Sequence, residues 1–183
     1  STGIVALAEI GDKTQLLALV LAARFRKPLP IILGILVATL ANHAMAGAFG
    51  AWLAAQVGPS AMRWILGLSF IDMAAWIMVP DKYEEQHEST SRFGVFGTTL
   101  LAFFLVEMGD KTQIATVALA ARYSSLVGVV AGTTLGMMIA NVPAVLLGEV
   151  AARKLPMRLV HGIAGATFLA LGLLLLAGVG APG

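Results

Sequence analysis

The 183-residue sequence contains no cysteine, and only 12% of its residues are Asp, Glu, Lys or Arg. The missing cysteines exclude disulfides, thiolate metal centres and thiol nucleophiles. The shortage of charge excludes more. A soluble domain carries about 25% charged and 45–50% apolar residues. Here 58% are hydrophobic and the mean hydropathy is +0.89. So little polar surface cannot cover a water-facing globule of this size, which rules out a soluble enzyme, a nucleic-acid binder and a disordered chain. The net charge of +2 and the pI near 9.2 are therefore no sign of DNA binding. No Walker motif is present, and the alternating ten-residue segments of a β-barrel are missing. No signal-peptide pattern opens the chain. Ser1 already lies inside an apolar run, so a few native residues are expected to precede it.

What is there is apolar and helical. A membrane-crossing helix needs roughly 20 mainly apolar residues, and six stretches qualify: 1–23, 29–55, 62–79, 94–121, 126–151 and 157–179. Short polar punctuation separates them, as at Arg24 to Pro28 and Arg153 to Pro156. The longer connection from Pro80 holds Asp81, Lys82, Glu84, Glu85, His87 and Glu88 and reads as an aqueous linker. The fold class is an all-α integral membrane protein. It divides into a first three-helix repeat (1–79), a linker (80–93) and a second three-helix repeat (94–183).

The repeats are visible as sequence. Glu9-Ile10-Gly11-Asp12-Lys13-Thr14-Gln15 returns as Glu107-Met108-Gly109-Asp110-Lys111-Thr112-Gln113, an offset of 98. Asn42 and Asn141 match after a one-residue shift, and Met62-Arg63 matches Met157-Arg158. Three spans per copy is an odd number, so the second copy enters the membrane from the opposite side. Such inverted repeats build alternating-access transporters around a midplane site. Loop charge agrees. Arg24, Arg26, Lys27, Lys82, Arg92, Arg153, Lys154 and Arg158 fall on one side, against Arg63 and Arg122 on the other. The positive-inside rule makes the first side cytoplasmic and both termini external.

Glu9, Asp12 and Lys13 lie within span one, and Glu107, Asp110 and Lys111 lie within span four. A central Asp or Lys costs about 2.5–3.5 kcal/mol on insertion. Six such residues therefore face each other or a water-filled cavity. On a continuous helix the i, i+3 spacing puts Glu9, Asp12 and Gln15 on one stripe, with Lys13 beside it and Thr14 turned away. Span four repeats the stripe with Glu107, Asp110 and Gln113. Gly11 and Gly109 permit close approach and a locally opened backbone. Packed across the pseudo-twofold axis, four carboxylates converge with two amide oxygens nearby, as further ligands or as neighbours, in an anionic all-oxygen cage suited to a hard divalent cation such as Mn²⁺, Ca²⁺ or Mg²⁺. Lys13 and Lys111 limit its charge and tether carboxylates when no metal is bound. Simple helix gluing by Asp–Lys pairs is the competing reading, but it does not require one signature twice.

This doubled Glu-x-Gly-Asp-Lys-Thr motif, in a six-span chain, resembles the Gdt-type Ca²⁺/Mn²⁺:H⁺ antiporter family, and the short form resembles its bacterial manganese-exporter branch. The resemblance covers essentially the whole chain. It implies export of a divalent cation against protons from a bacterial inner membrane, with Glu9, Asp12, Glu107 and Asp110 as metal and proton ligands. Thr14 and Thr112 carry over as motif members only. No cofactor is implied beyond the transported cation, and the partners are metal ions, protons and the bilayer.

Other polar residues allow two readings each. Asn42 and Asn141 bridge helices or neighbour the substrate. Asp72 in span three has no motif and no acidic repeat partner; it belongs to a proton path, or is a protonated acid, or departs from the natural sequence. Glu149 with Arg153 at i+4 reads as a surface salt bridge. His43 and His161 read as helix-packing residues rather than ligands. Three other functions fit less well: an exporter of a small organic cation or amino acid on a similar scaffold, a membrane metalloenzyme, and a passive structural subunit. The loop bias gives a direct test of orientation. A cysteine placed within 83–91 should stay unlabelled by an impermeant thiol reagent applied to intact cells, and labelling would reverse the assigned topology.

Overall fold

The computed structural model describes residues 2–77, 94–147 and 157–178. Secondary structure there is entirely helical: α1 (Thr2–Glu9), α2 (Lys13–Phe25), α3 (Pro28–Gln56), α4 (Pro59–Ile77), α5 (Gly94–Glu107), α6 (Lys111–Arg122), α7 (Leu126–Leu147) and α8 (Met157–Leu176). The linker 80–93, the Glu149–Arg153 pair and the His161 side chain lie outside the described residues.

Spans one and four, expected as continuous helices, are each broken in two. Glu9 ends α1 and Asp12 caps α2; Glu107 ends α5 and Asp110 caps α6. The cause is local. Gly11 and Gly109 take φ of 84° and 79°, a left-handed conformation that side chains disfavour and that a straight helix cannot contain. A single turn crosses each break, with Asp12 N–H donating to the Glu9 carbonyl at 3.0 Å and Asp110 N–H to the Glu107 carbonyl at 3.1 Å. Gln15 Oε1 accepts from Gly11 N–H at 2.9 Å, and Gln113 Oε1 accepts from Gly109 N–H at 2.7 Å. Each glutamine thus serves an amide N–H that the broken helix leaves without its usual partner.

The breaks shorten the helices of spans one and four, and the unbroken α4 and α8 are also not among the helices long and apolar enough to cross a membrane. Among the described residues, α3 and α7 are long and apolar enough, while α5 is a shorter apolar helix. α3 holds 29 residues, which at 1.5 Å per residue gives about 43 Å and exceeds a hydrocarbon core of about 30 Å. It starts sharply. Arg26 adopts φ 51° and closes α2 onto the Ala22 carbonyl, and Pro28 then opens α3. α7 carries Pro143 in its interior, which removes one helical N–H donor.

The long helix of each half packs on the broken helix of the other: α3 on α5 and α6, α7 on α1 and α2. Neighbouring residues set the directions. Gly34 abuts Thr99 and Gly50 abuts Val117, so α3 runs parallel to α5–α6. Gly136 abuts Val5, and Gln15 reaches Ala140, so α7 runs parallel to α1–α2. His43 meets Thr134 and Gly47 meets Leu126, so α3 and α7 are antiparallel. The two broken helices therefore run in opposite senses. α4 packs along α8 outside this centre, joined by Phe70 against Phe168 with ring centroids 5.8 Å apart.

The α3–α6 contact is close enough that Gly50 leaves no room for a Cβ beside the Val117 backbone, whereas Gly3 has open space. Gly50→Ala should lower stability by about 1–3 kcal/mol, and Gly3→Ala should leave it unchanged or raise it by up to ~1 kcal/mol. Thermal unfolding of the detergent-solubilised variants measures both.

Candidate metal centre

The breaks place both motifs at one level in the bundle. Each lysine reaches across to the aspartate of the other repeat. Lys13 Nζ lies 3.1 Å from Asp110 Oδ1, and Lys111 Nζ pairs with Asp12 Oδ1. Glu9, Asp12, Glu107 and Asp110 are all buried, as is Lys111, whereas the Lys13 side chain keeps 27% of its exposure. Charges in such a place hold only when paired.

Glu9, Asp12 and Asp110 offer carboxylate oxygens that all lie within 4.8 Å of one another. Two ligands of one ion at 2.3–2.6 Å stand no more than about 5 Å apart, so this trio has the size of a coordination shell. Both repeats contribute to it. Glu9 is further held by two hydroxyls, Thr14 Oγ1 donating to Oε2 at 2.6 Å and Thr112 Oγ1 donating to Oε1 from the other repeat. Thr14 was expected to face away. The helical phase restarts at Asp12, so the stripe of Glu9, Asp12 and Gln15 does not form and the threonine turns inward instead. The amide oxygens of Gln15 and Gln113 are spent on the glycine N–H groups, and Gln15 Nε2 donates to the Ala140 carbonyl at 3.0 Å.

Glu107 has different surroundings from its repeat partner Glu9. Thr39 Oγ1 donates to its Oε2 at 3.4 Å, and His43 Nε2 lies 2.9 Å from its Oε1. His43 and Glu107 are fully buried, and the other face of the imidazole meets Thr134 Oγ1 at 3.5 Å. His43 thus sits in polar contact with two neighbouring helices, as a buried helix-packing histidine does. Its counterpart in α7 by the one-residue shift is Val142, which has no comparable chemistry. The visible signal was Thr39, Asn42 and His43 at i, i+3 and i+4, one polar face in an apolar span.

Both asparagines donate their amide N–H groups to backbone carbonyls, Asn42 to Phe104 at 3.1 Å across helices and Asn141 to Met137 at 3.1 Å in its own helix. Their Oδ1 atoms are buried and accept no hydrogen bond among the described residues, and neither does Asp110 Oδ2. Buried polar atoms are normally satisfied. Asp72 is elsewhere, exposed on the outer face of α4. With four carboxylates against two ammonium groups, the ionised site carries a formal charge of −2.

The sequence compared with known families matches the one described as divalent cation/proton antiporter GDT1 over residues 1–85 and 95–181. The chain belongs to the GDT1 family. A Vibrio cholerae protein described as a "Putative manganese exporter" is 52% identical over 170 residues, covering 92% of this chain and 84% of that one. A GDT1-like protein of Synechocystis is 29% identical over 184 residues, covering 90% and 89%. GDT1-like protein 3 of Oryza sativa is 31% identical over 195 residues, covering 92% and 69%. No solved structure matches the chain.

Asp72 stands apart from the buried acids of the two motifs. Asp72→Asn should keep Mn²⁺ affinity within about twofold, while Asp110→Asn should weaken it by at least about 10-fold. Equilibrium binding of Mn²⁺ to the purified variants decides this, and abolished binding in a folded Asp72→Asn protein would extend the site to α4.

Proposed function

We propose that this protein is a secondary transporter that exports a divalent cation, Mn²⁺ foremost and Ca²⁺ next, from the cytoplasm in exchange for protons. The observation that carries this reading is the buried trio of Glu9, Asp12 and Asp110, drawn from both repeats and small enough to surround one ion. An organic cation or amino acid would need a larger opening between these acids. Description of the family as antiporters favours transport over a membrane enzyme. So does the manganese exporter named in Vibrio cholerae.

We read the chain as six spans in two inverted repeats, 1–79 and 94–183, joined by a cytoplasmic linker at 80–93. The opposed directions of the two broken helices and the exchanged packing of α3 and α7 support that arrangement. The loop charges support external termini in a bacterial inner membrane.

In the mechanism, each lysine holds the opposite repeat's aspartate while the site lacks metal. An arriving divalent cation displaces both ammonium groups from the carboxylates. Its charge matches the formal −2 of the site. Protons compete for the same oxygens: each protonation removes a negative charge and weakens metal binding, so affinity falls as pH falls. An outside proton excess therefore releases metal on that side, and the protonated carrier returns.

Because both motifs serve one ion, Glu9→Gln and Glu107→Gln should each remove most transport. Flux of Mn²⁺ into proteoliposomes under an imposed pH gradient, measured together with bound-metal stoichiometry, tests this. If each single variant kept about half the flux and half the bound metal, two independent sites would replace the shared one.

A further inference from the structure

We propose that the cavity between α1, α4, α6 and α8 is a binding site for one anionic phospholipid, with an acyl chain lying in the cavity and the phosphate held by Arg122 at its mouth. The inference goes beyond the cation centre, since no residue lining this cavity belongs to either motif. The cavity holds about 230 Å³ and is walled by Ile4, Phe70, Leu119, Leu171, Leu174 and Leu175, with Arg122 and Tyr123 as its polar edge. A water molecule takes roughly 30 Å³, so several would fit by volume, but walls without polar partners do not hold water. Leu174 is 48% and Tyr123 52% exposed, so the cavity opens on the outside of the bundle. In a membrane that outside is hydrocarbon, and a lipid chain is what fills it.

Charge decides which lipid. Arg122 ends α6 and lies over the Tyr123 ring at 5.6 Å. Arg63, near the start of α4, lies over the Trp64 ring at 6.0 Å. Arg63 also approaches Gly178, three residues beyond Leu175 of the cavity wall. Both guanidinium groups therefore stand at the end of the bundle where α6 and α8 finish. Neither arginine pairs with a carboxylate among the described residues, and Arg63 Nε is buried with no hydrogen-bond partner there. A cation at the edge of a hydrocarbon layer calls for an anion. The planar guanidinium suits phosphate, whose oxygens it can bind two at a time. Trp64 and Tyr123, both half exposed, set that end at headgroup depth, where such aromatic side chains gather. A phosphate at this level sits above a chain that runs down into the apolar cavity.

The site lies at a joint. α4 packs along α8, and this pair meets the rest of the bundle through α6 and α1. Phe70 and Leu171 wall the cavity from the pair, Ile4 and Leu119 from the other side. The two arginines are divided in the same way, Arg63 on α4 and Arg122 on α6. A lodged chain fills the gap in the joint, and its headgroup ties the two sides together. A ligand that binds the folded chain in this manner stabilises it by mass action.

The test uses the purified full chain, stripped of lipid in detergent, and native mass spectrometry. Phosphatidylglycerol, phosphatidylcholine with the same chains (whose choline cation cancels the phosphate charge) and inorganic phosphate are titrated separately. The wild type should retain one phosphatidylglycerol about 10-fold more tightly than phosphatidylcholine, and inorganic phosphate should not compete. Arg122→Gln should remove that preference. Leu174→Trp, which fills the cavity from its exposed edge and keeps both arginines, should weaken both lipids. The unfolding temperature should rise with added phosphatidylglycerol in the wild type and not in Arg122→Gln. Equal retention of the two lipids, a preference that survives Arg122→Gln, or binding unchanged in Leu174→Trp would overturn the proposal. Competition by inorganic phosphate would assign the arginines to a free anion and overturn it as well. The wild-type preference is measured without any variant, so a variant that does not fold leaves the test standing.

Discussion

Two lysines inside an apolar bundle must find anions, and each finds the aspartate of the opposite repeat. Lys13 with Asp110 and Lys111 with Asp12 form a reciprocal pair of ion pairs across the centre of the molecule. Removing Lys13, Lys111 or Asp12 would strand a buried charge, a loss of several kcal/mol. The pairs therefore fix the two broken helices at one depth and in opposite directions. The rest of the centre is built on that alignment. It lets Thr112 reach Glu9 from the other repeat, and it brings Asp110 beside Glu9 and Asp12.

The long helices complete the arrangement by exchange. α3 lies along the broken helix of the second repeat and α7 along that of the first, so neither half closes its own site. The exchange is nearly symmetric in its backbone and unsymmetric in its chemistry. α3 presents Thr39 and His43 to Glu107, whereas α7 contributes a carbonyl, that of Ala140, to Gln15. Symmetric scaffolding with unequal walls gives the two glutamates different neighbours, hydroxyls for Glu9 and an imidazole for Glu107.

Much of this was legible in the sequence. The doubled motif pointed to Glu9, Asp12 and Asp110, whose oxygens lie together, and to both lysine–aspartate pairs; the apolar runs marked helices, of which α3 and α7 among the described residues are long and apolar enough to cross a membrane. The break itself was hinted at by Gly11 and Gly109, but a helical wheel presumes unbroken phase. Thr14 was misplaced for that reason, and the oxygens of the two glutamines, read as possible further ligands or neighbours, accept from the glycine N–H groups. His43 was hidden for another reason. An argument from repetition finds what both halves share, and His43 against Val142 is what they do not. Which acid faces which neighbour depends on distances between helices far apart in sequence, and no local pattern encodes those.

On the proposed cation–proton exchange, the formal charge of the four acids and two lysines would have a consequence for energetics across the membrane. Four carboxylates with two ammonium groups carry −2, which one divalent cation neutralises and which two protons neutralise equally. Both loaded forms of the carrier would then cross the bilayer uncharged. An exchange of one ion for two protons moves no net charge, so the membrane voltage neither drives nor opposes it. Such a carrier draws on the chemical gradient of protons alone, and it would keep exporting metal in a cell whose electrical potential had collapsed while its pH gradient remained.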